Sequence, residues 1–192
     1  MSPQEALDSR RRGMPSPRLT FKIASEQWEF EQVFQLNYET FVEEIPQHQR
    51  NSSGVLVDKF HDENEYIICL RGRSLRGMVA VRSRRPFSLD QKLEDLDSYL
   101  PNGKSVCEIR LLAVDREHRK GPILKGLLTM LGKYCIDNGY ELAIISGTVR
   151  QLGLYKRLGF VPFGPLVGTP DALYQPMYGG PTLIKERFKA HF

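Results

Sequence analysis

The sequence predicts a single mixed α/β domain, one central sheet covered by helices, and two observations carry that reading. From Val106 to Phe163 the apolar pattern runs strand, helix, strand, helix, strand, the order that joins sheet neighbours through crossover helices. Ahead of it, Tyr66 to Val81 reads as two apolar strands around the tight turn Arg71-Gly72-Arg73-Ser74, an antiparallel start to the same sheet.

Each element follows from local signals. Residues 1–18 form a leader of Ser, Pro and Arg through which no hydrophobic period can be drawn. Leu19 to Ile23 alternates as a first strand, and Ser25 caps a helix whose apolar face is Phe30, Val33, Phe34, Leu36, Asn37 and Phe41. Pro46 closes that region, Gln47 to Gly54 is a polar surface loop, and Asp58 to Glu65 is a charged approach to the hairpin. Arg82 to Lys104 holds Pro86, Pro101 and Gly103 around a short helix. Then come strand Val106 to Val114, helix Gly121 to Asn138, strand Leu142 to Ile145, helix Val149 to Leu158 and strand Phe160 to Phe163. Pro170 to Met177 supplies a last strand, and Pro181 to His191 a terminal helix opened by proline. The chain therefore divides into a leader at 1–18, one domain at 19–180, and a C-terminal helix at 181–192 from which a further element can continue.

Composition narrows the function classes. With 192 residues, 41% of them hydrophobic, the chain can bury a core of its own. No run approaches the ~18 apolar residues of a membrane span, and Met1 to Arg18 lack the apolar stretch of a signal peptide, so the expected location is cytoplasmic. Cys69, Cys107 and Cys135 are odd in number and lie in apolar stretches, the pattern of buried reduced thiols. His48, His61, His118 and His191 lack ligand spacing, so no metal is expected. A net charge of +4 favours an anionic partner and suits a phosphorylated cofactor or an acidic carrier protein. Nucleic-acid binding through Arg10, Arg11 and Arg12 is a weaker reading, because the aromatic pattern offers no platform for base stacking.

The chemistry concentrates in Glu108 to Leu128. A strand runs into the basic turn around Arg119 and Lys120 and straight into an apolar-faced helix, which aims the first N–H groups and the positive dipole end of that helix at whatever occupies the turn. A pyrophosphate is the natural occupant, with Lys125 adding charge. Glu108 lies on the opposite strand face from Cys107 and Ile109, a carboxylate amid apolar neighbours that is either a general base or the partner of Arg110 or Arg82. Arg82, Arg84 and Arg85 either hold an acceptor carboxylate or carrier phosphate, or form a solvated surface. His118, in the basic turn, reads as solvated or supporting.

Val114, Arg119, Ile123, Leu127 and Leu128, together with Leu154-Tyr-Lys-Arg-Leu-Gly-Phe160, resemble the signature segments of the GNAT acyltransferase superfamily. The resemblance implies a mixed central sheet of six or seven strands flanked by helices, and transfer of an acyl group from a pantetheine thioester to an amine without metal. It assigns the donor to the strand end Leu112, Ala113 and Val114 and to the turn and helix start at Arg119, Lys120, Gly121, Ile123, Leu124 and Lys125. It also assigns Tyr155 as the acid that protonates the leaving thiolate, against a plain reading as a core aromatic, and Glu108 as the base. Pro122 and Leu124 stand where the superfamily has glycines, and Thr148 where many members have Asn. These departures leave open a non-catalytic module of the same fold that binds acyl thioesters or their carriers.

The N-terminal half carries a narrower likeness. Val33 to Glu44, Asp58-Lys-Phe-His-Asp62, Leu75 to Arg82 and Tyr99-Leu-Pro101 resemble, in order and spacing, the acyl-homoserine-lactone synthases and the related long-chain N-acyl amino acid synthases. That branch implies a donor of longer acyl chain, on acyl-CoA or acyl carrier protein, and an amino acid or derivative as the amine. Asp58 then contacts the acceptor ammonium or is a solvated loop acid, and Arg82 belongs to the substrate site. Asn37 replaces an Arg of that branch and His61 its second Asp.

Overall fold

A computed structural model describes residues 18–119, 121–170 and 172–191, with side chains to 187 in the last helix. The first strand, β1 (Leu19–Ile23), leads to α1 (Gln27–Tyr38). The helix is capped by Glu26 rather than by Ser25, because the buried Glu29 side chain folds back to accept from both the Ser25 and Glu26 N–H groups at 2.8 and 3.1 Å. Without a break α1 widens into a π-helical stretch, Glu39–Glu44, which turns Thr40 and Phe41 inward.

The expected hairpin is β2 (Asn64–Arg71) and β3 (Ser74–Arg82), and the long connection after it holds one short 3-10 turn, Asp97–Tyr99, where a helix was expected. Its fold is set instead by apolar anchors, Phe87, Leu89, Leu93, Leu96 and Leu100, which bury themselves against Ile144 and Tyr174. Then follow β4 (Val106–Val114), α2 (Pro122–Asp137), β5 (Leu142–Thr148), α3 (Leu152–Arg157), β6 (Val161–Pro162), β7 (Val167–Thr169), β8 (Ala172–Gly179) and α4 (Pro181–His191).

The strands form one eight-stranded sheet in the order β1-β2-β3-β4-β5-β8-β6, with β7 also on β8. Every pairing is antiparallel except β4 with β5. On one face lies α2, with Ile123, Leu127, Leu131 and Cys135 against Cys107, Val79 and Met177, and α4 joins this layer through Ile184. The other face is covered by α1, with Val33 and Leu36 against Met78, Ala80 and Ala113. All three cysteines are buried and free, as their apolar settings imply. Among the described residues no helix is long and apolar enough to cross a membrane.

The parallel pair is the irregular part of the sheet. Its ladder holds only Val106↔Leu142, Cys107↔Ala143 and Glu108↔Ile144. Beyond that point β4 stays with β3 as far as Val114↔Gly77 and β5 stays with β8 as far as Thr148↔Tyr174, so the two strands part. The departing stretch of β4 carries a bulge in which Met78 faces Ala113 and Ala80 faces Arg110, leaving Leu111 and Leu112 opposite no partner. Leu111 adopts φ 54°, a left-handed conformation that strains a side chain branched at Cγ.

Burial pushes the Cys69 thiol to about 11 and the Tyr66 hydroxyl to about 12. In the unfolded chain these groups ionise near their ordinary values of about 8.5 and 10. Since the native state retains protons that the unfolded state loses, their stabilisation is whole below about pH 8 and declines as pH rises toward the native values. Urea unfolding between pH 7 and 11 is expected to lose a few kcal/mol; a constant free energy across that range would contradict the burial described.

Candidate functional site

Where β4 and β5 part, the sheet has no cross-strand hydrogen bonds to close it, and a cavity of about 780 Å³ passes through the gap. Its lining comes from both faces: Leu124, Leu128, Leu131 and Cys135 of α2 on one, Thr40, Phe41, Gln47 and Ser88 on the other. The α2 branch continues past Leu158 and Phe160 to Pro181 and Ile184 of α4 and is mostly apolar, with Arg157 and Lys185 also in its lining. The opposite branch is polar, with Ser88, Lys92, Glu108, Arg110 and Tyr174.

Glu108 is 1% exposed and aims away from α2, as strand alternation requires. Ser88 fixes it, its N–H donating to Oε2 at 2.8 Å and its hydroxyl to Oε1 at 2.5 Å, while Arg110 Nε stands 3.5 Å from Oε2. Both readings of Glu108 thus meet in one residue: it faces the cavity and it neighbours Arg110. Arg110 is held from behind by a two-point pair with Asp58, at 2.8 and 3.0 Å. Burial alone would raise the Asp58 carboxyl. The charge and hydrogen bonds of Arg110, with those of the Phe60 N–H and Asn64, outweigh it and hold the group below the usual carboxylate range.

Asp58 therefore lies behind the cavity wall. Arg82 does as well: it is fully buried, donates from Nε to the Pro86 carbonyl at 2.9 Å, lies 2.8 Å from Glu63, and stacks 3.9 Å from the centre of the Phe60 ring. Arg110 meets the same ring at 4.7 Å, so Phe60 separates two guanidinium groups that would otherwise repel. Arg84 and Arg85 are exposed, and Arg85 pairs with Asp90 and Asp97.

Tyr155 reaches the cavity from α3. Its ring packs so closely on β5 that a Cβ added to Gly147 would stand 2.8 Å from it, and its hydroxyl bonds at Thr148. Burial raises the hydroxyl above its ordinary value despite those bonds, so it remains protonated at neutral pH. On the neighbouring stretch of β5, Ser146 lines the gap with a buried hydroxyl that has no hydrogen-bond partner among the described residues.

Of the residues assigned to the donor, Leu112, Ala113, Val114, Arg119 and Leu124 line the cavity. Gly121 is the extended N-cap of α2 beside it, Ile123 turns its side chain into the core, Lys125 lies on the exposed face, and Lys120 lies outside the described residues. Arg119 differs from expectation. It makes a two-point ion pair with Glu44 at 2.5 Å on each side, and its Nε donates to the Val114 carbonyl at 3.1 Å, so its charge is balanced from within the protein. His118 stands 3.3 Å from Asp115, which also pairs with Arg76. Asp115, Glu117 and His118 bring one ligand atom each within 4.8 Å of one another, a grouping that the spacing of the histidines did not suggest.

Sequence reasoning missed Arg110, Ser88, Lys92 and Glu44 as parts of the site. Only Arg110 had a legible signal, since it stands two residues from Glu108 and shares its strand face. The others come from irregular or terminal segments whose placement is tertiary.

A family model for the N-acyl amino acid synthase FeeM matches residues 32–179 of the chain. No curated protein matches it. Solved structures of similar fold include a CoA-dependent acyl-homoserine lactone synthase, BjaI, with MTA, at 21% identity and TM-score 0.73 over 90% of each chain. FeeM, an N-acyl amino acid synthase from uncultured soil microbes, has 16% identity and TM-score 0.71 over 90% of this chain and 96% of that one. The acyl-homoserine lactone synthase LasI has 13% identity and TM-score 0.72 over 86% and 91%. These likenesses bear out the mixed sheet flanked by helices, here with eight strands because the two short strands β6 and β7 both join β8. Matched over most of its length by that family model, and with the fold of these synthases, the chain is an N-acyltransferase that belongs to the FeeM N-acyl amino acid synthase family.

Proposed function

We propose that the protein transfers a long-chain acyl group from a pantetheine thioester, carried by coenzyme A or by acyl carrier protein, to the amine of an amino acid. The observation that carries this reading is the cavity through the parted sheet, mostly apolar on the α2 side and polar on the α1 side. The apolar branch follows α2 from Leu124 to Cys135, ~16 Å of helix at 1.5 Å per residue, far beyond the reach of an acetyl group.

In this reading the pantetheine arm enters between β4 and β5 with its phosphate end at the start of α2, where the first N–H groups of the helix are free to donate. The unpartnered strand edges and the Ser146 hydroxyl take its amides. The amine approaches from the polar branch and is attracted by the Glu108 carboxylate, which accepts the ammonium proton. The neutral nitrogen attacks the thioester carbonyl, and backbone N–H groups of the Leu111 and Leu112 bulge supply the oxyanion contact. The adduct nitrogen releases its second proton to solvent, and collapse expels the thiolate, to which Tyr155, protonated at neutral pH, donates before regaining a proton from solvent. Asp58 and Arg82 act behind this surface, Asp58 by aiming Arg110. Alignment of two reactants can supply ~7–11 kcal/mol of the barrier reduction, and proton transfer by the side chains adds to it.

Incubation with long-chain acyl-CoA or acyl carrier protein thioesters and a panel of amino acids is expected to release thiol; release from no pair would defeat the proposal. Glu108→Gln should lower kcat/KM by ~10²–10⁴, with the loss shrinking for acceptor amines already neutral at the assay pH. An equal loss for all amines would remove Glu108 from the proton transfer.

Tyr155→Phe should lower kcat by a smaller factor that disappears with a thioester whose leaving thiol is acidic. Gly147→Ala, by pressing on the ring, should reproduce that deficit. Persistence of the deficit whatever the leaving group would return Tyr155 to a packing role.

Leu128→Trp should shorten the apolar branch. In the parent protein each added methylene is worth ~0.8 kcal/mol, roughly fourfold, until the branch is filled; in the variant that gain should end several carbons earlier. A parent protein that works best with acetyl donors would overturn the long-chain assignment.

A further inference from the structure

Most charged groups around the polar branch are answered from within the protein. Glu108 has Ser88 and Arg110, Arg110 has Asp58, and Asp90 has Arg85 and the Phe87 N–H. Lys92 is different. It lines the same branch, yet among the described residues no carboxylate pairs with its ammonium, whose nearest organised partner is the Tyr174 ring with its centre 5.7 Å away. Its backbone is well placed, since the Lys92 and Leu93 N–H groups both donate to the Leu89 carbonyl, at 3.1 and 3.0 Å, and Leu89 and Leu93 are buried anchors of the connection. Desolvation at this wall lowers the Lys92 pKa, and Glu108 is near enough to oppose that shift. The polar branch therefore presents two opposite charges to one space: a buried carboxylate held by Ser88 and Arg110, and at its solvent-exposed rim an ammonium with no ion-pair partner among the described residues.

We infer that Lys92 binds the carboxylate of the acceptor and thereby makes the enzyme select α-amino acids over plain amines, an inference that rests on the acyl-transfer reading above. An α-amino acid carries its ammonium and carboxylate on one carbon, and a pocket with Glu108 for the first and Lys92 for the second matches that pairing of charges. An amine without the carboxylate forgoes that ion pair, so the pocket favours the amino acid. Lys92 is a specificity residue in this scheme and takes no part in the proton transfers. The competing role for a lysine of lowered pKa is that of general base, and the two roles separate experimentally. A carboxylate clamp is satisfied by any cation at that position, whereas a base must lose its proton, which Arg does not do.

The test compares an amino acid with the amine left by its decarboxylation, using one acyl thioester and reading thiol release. The parent protein is expected to prefer the amino acid. Lys92→Gln should raise KM for the amino acid by roughly fivefold with little change in kcat, and should cost the decarboxylated amine far less. Lys92→Arg should restore most of the amino acid's KM. A fall in kcat shared by both acceptors and not rescued by Arg would assign Lys92 to the chemistry instead and overturn the clamp. Unchanged KM in Lys92→Gln, or a parent protein that turns over the decarboxylated amine as readily as the amino acid, would overturn it while leaving acyl transfer intact. Thiol release with neither acceptor would sink the acyl-transfer reading itself, and the clamp with it.

Discussion

β4 and β5 share three rungs and then separate, and the rest of the site depends on that separation. A parallel pair in the middle of a sheet normally continues for the length of its strands, because each unmade rung leaves buried N–H and C=O groups without partners. Here each strand is retained by its outer neighbour, β3 for β4 and β8 for β5, so the gap is held open from both sides at once. The bulge at Leu111 and Leu112 takes up the extra length of β4 at that point, and the positive φ of Leu111 is strain maintained by well-formed pairing on either side. A cavity that crosses a sheet is the direct result. It leaves strand edges open along the gap and joins two chemically different faces of the sheet.

The polar face is organised in layers. Glu108 and Arg110 look into the cavity; Asp58, Phe60, Arg82 and Glu63 stand behind them and fix their directions. Burying ion pairs of this kind brings little stability, because desolvation offsets most of the attraction. Their physical value is positional: a two-point Arg–carboxylate pair restricts both side chains to one geometry, and a phenyl ring between two guanidinium groups keeps them apart while remaining attractive to each. The Glu108 carboxylate is thereby placed without a direct short salt bridge, since Arg110 lies at 3.5 Å while Ser88 provides the close contacts.

At the other end of the cavity the electrostatics are milder than a strand, basic turn and helix suggest. Glu44 balances Arg119, and Pro122 removes one N–H from the start of α2. The remaining N–H groups and dipole of a 16-residue helix add positive character there that is fixed in direction. The π-helical widening after α1 is what carries Glu44 to this place, so the N-terminal helix shapes the entrance as well as covering the sheet.

Much of the architecture was legible because it is local. Alternation marked β4 to the residue, a 3.6 period marked α2 and α4 to within a residue or so, and the facing of Glu108 away from Cys107 and Ile109 followed from strand geometry. Short or irregular parts were not: β7 is three residues long and exists only because β8 lies beside it, and the connection between β3 and β4 takes its course from apolar anchors instead of a period. The sequence by itself determined the longer strands and helices and which strand bears the acidic residue, since these depend on spacing along the chain. Only the tertiary structure decided that Arg110 answers Asp58 across 52 residues, that Glu44 answers Arg119 across 75, and that Ser88 and Lys92 face Glu108. Such contacts join residues distant in sequence, and their partners are chosen by how the layers pack, which leaves no periodic trace in the chain.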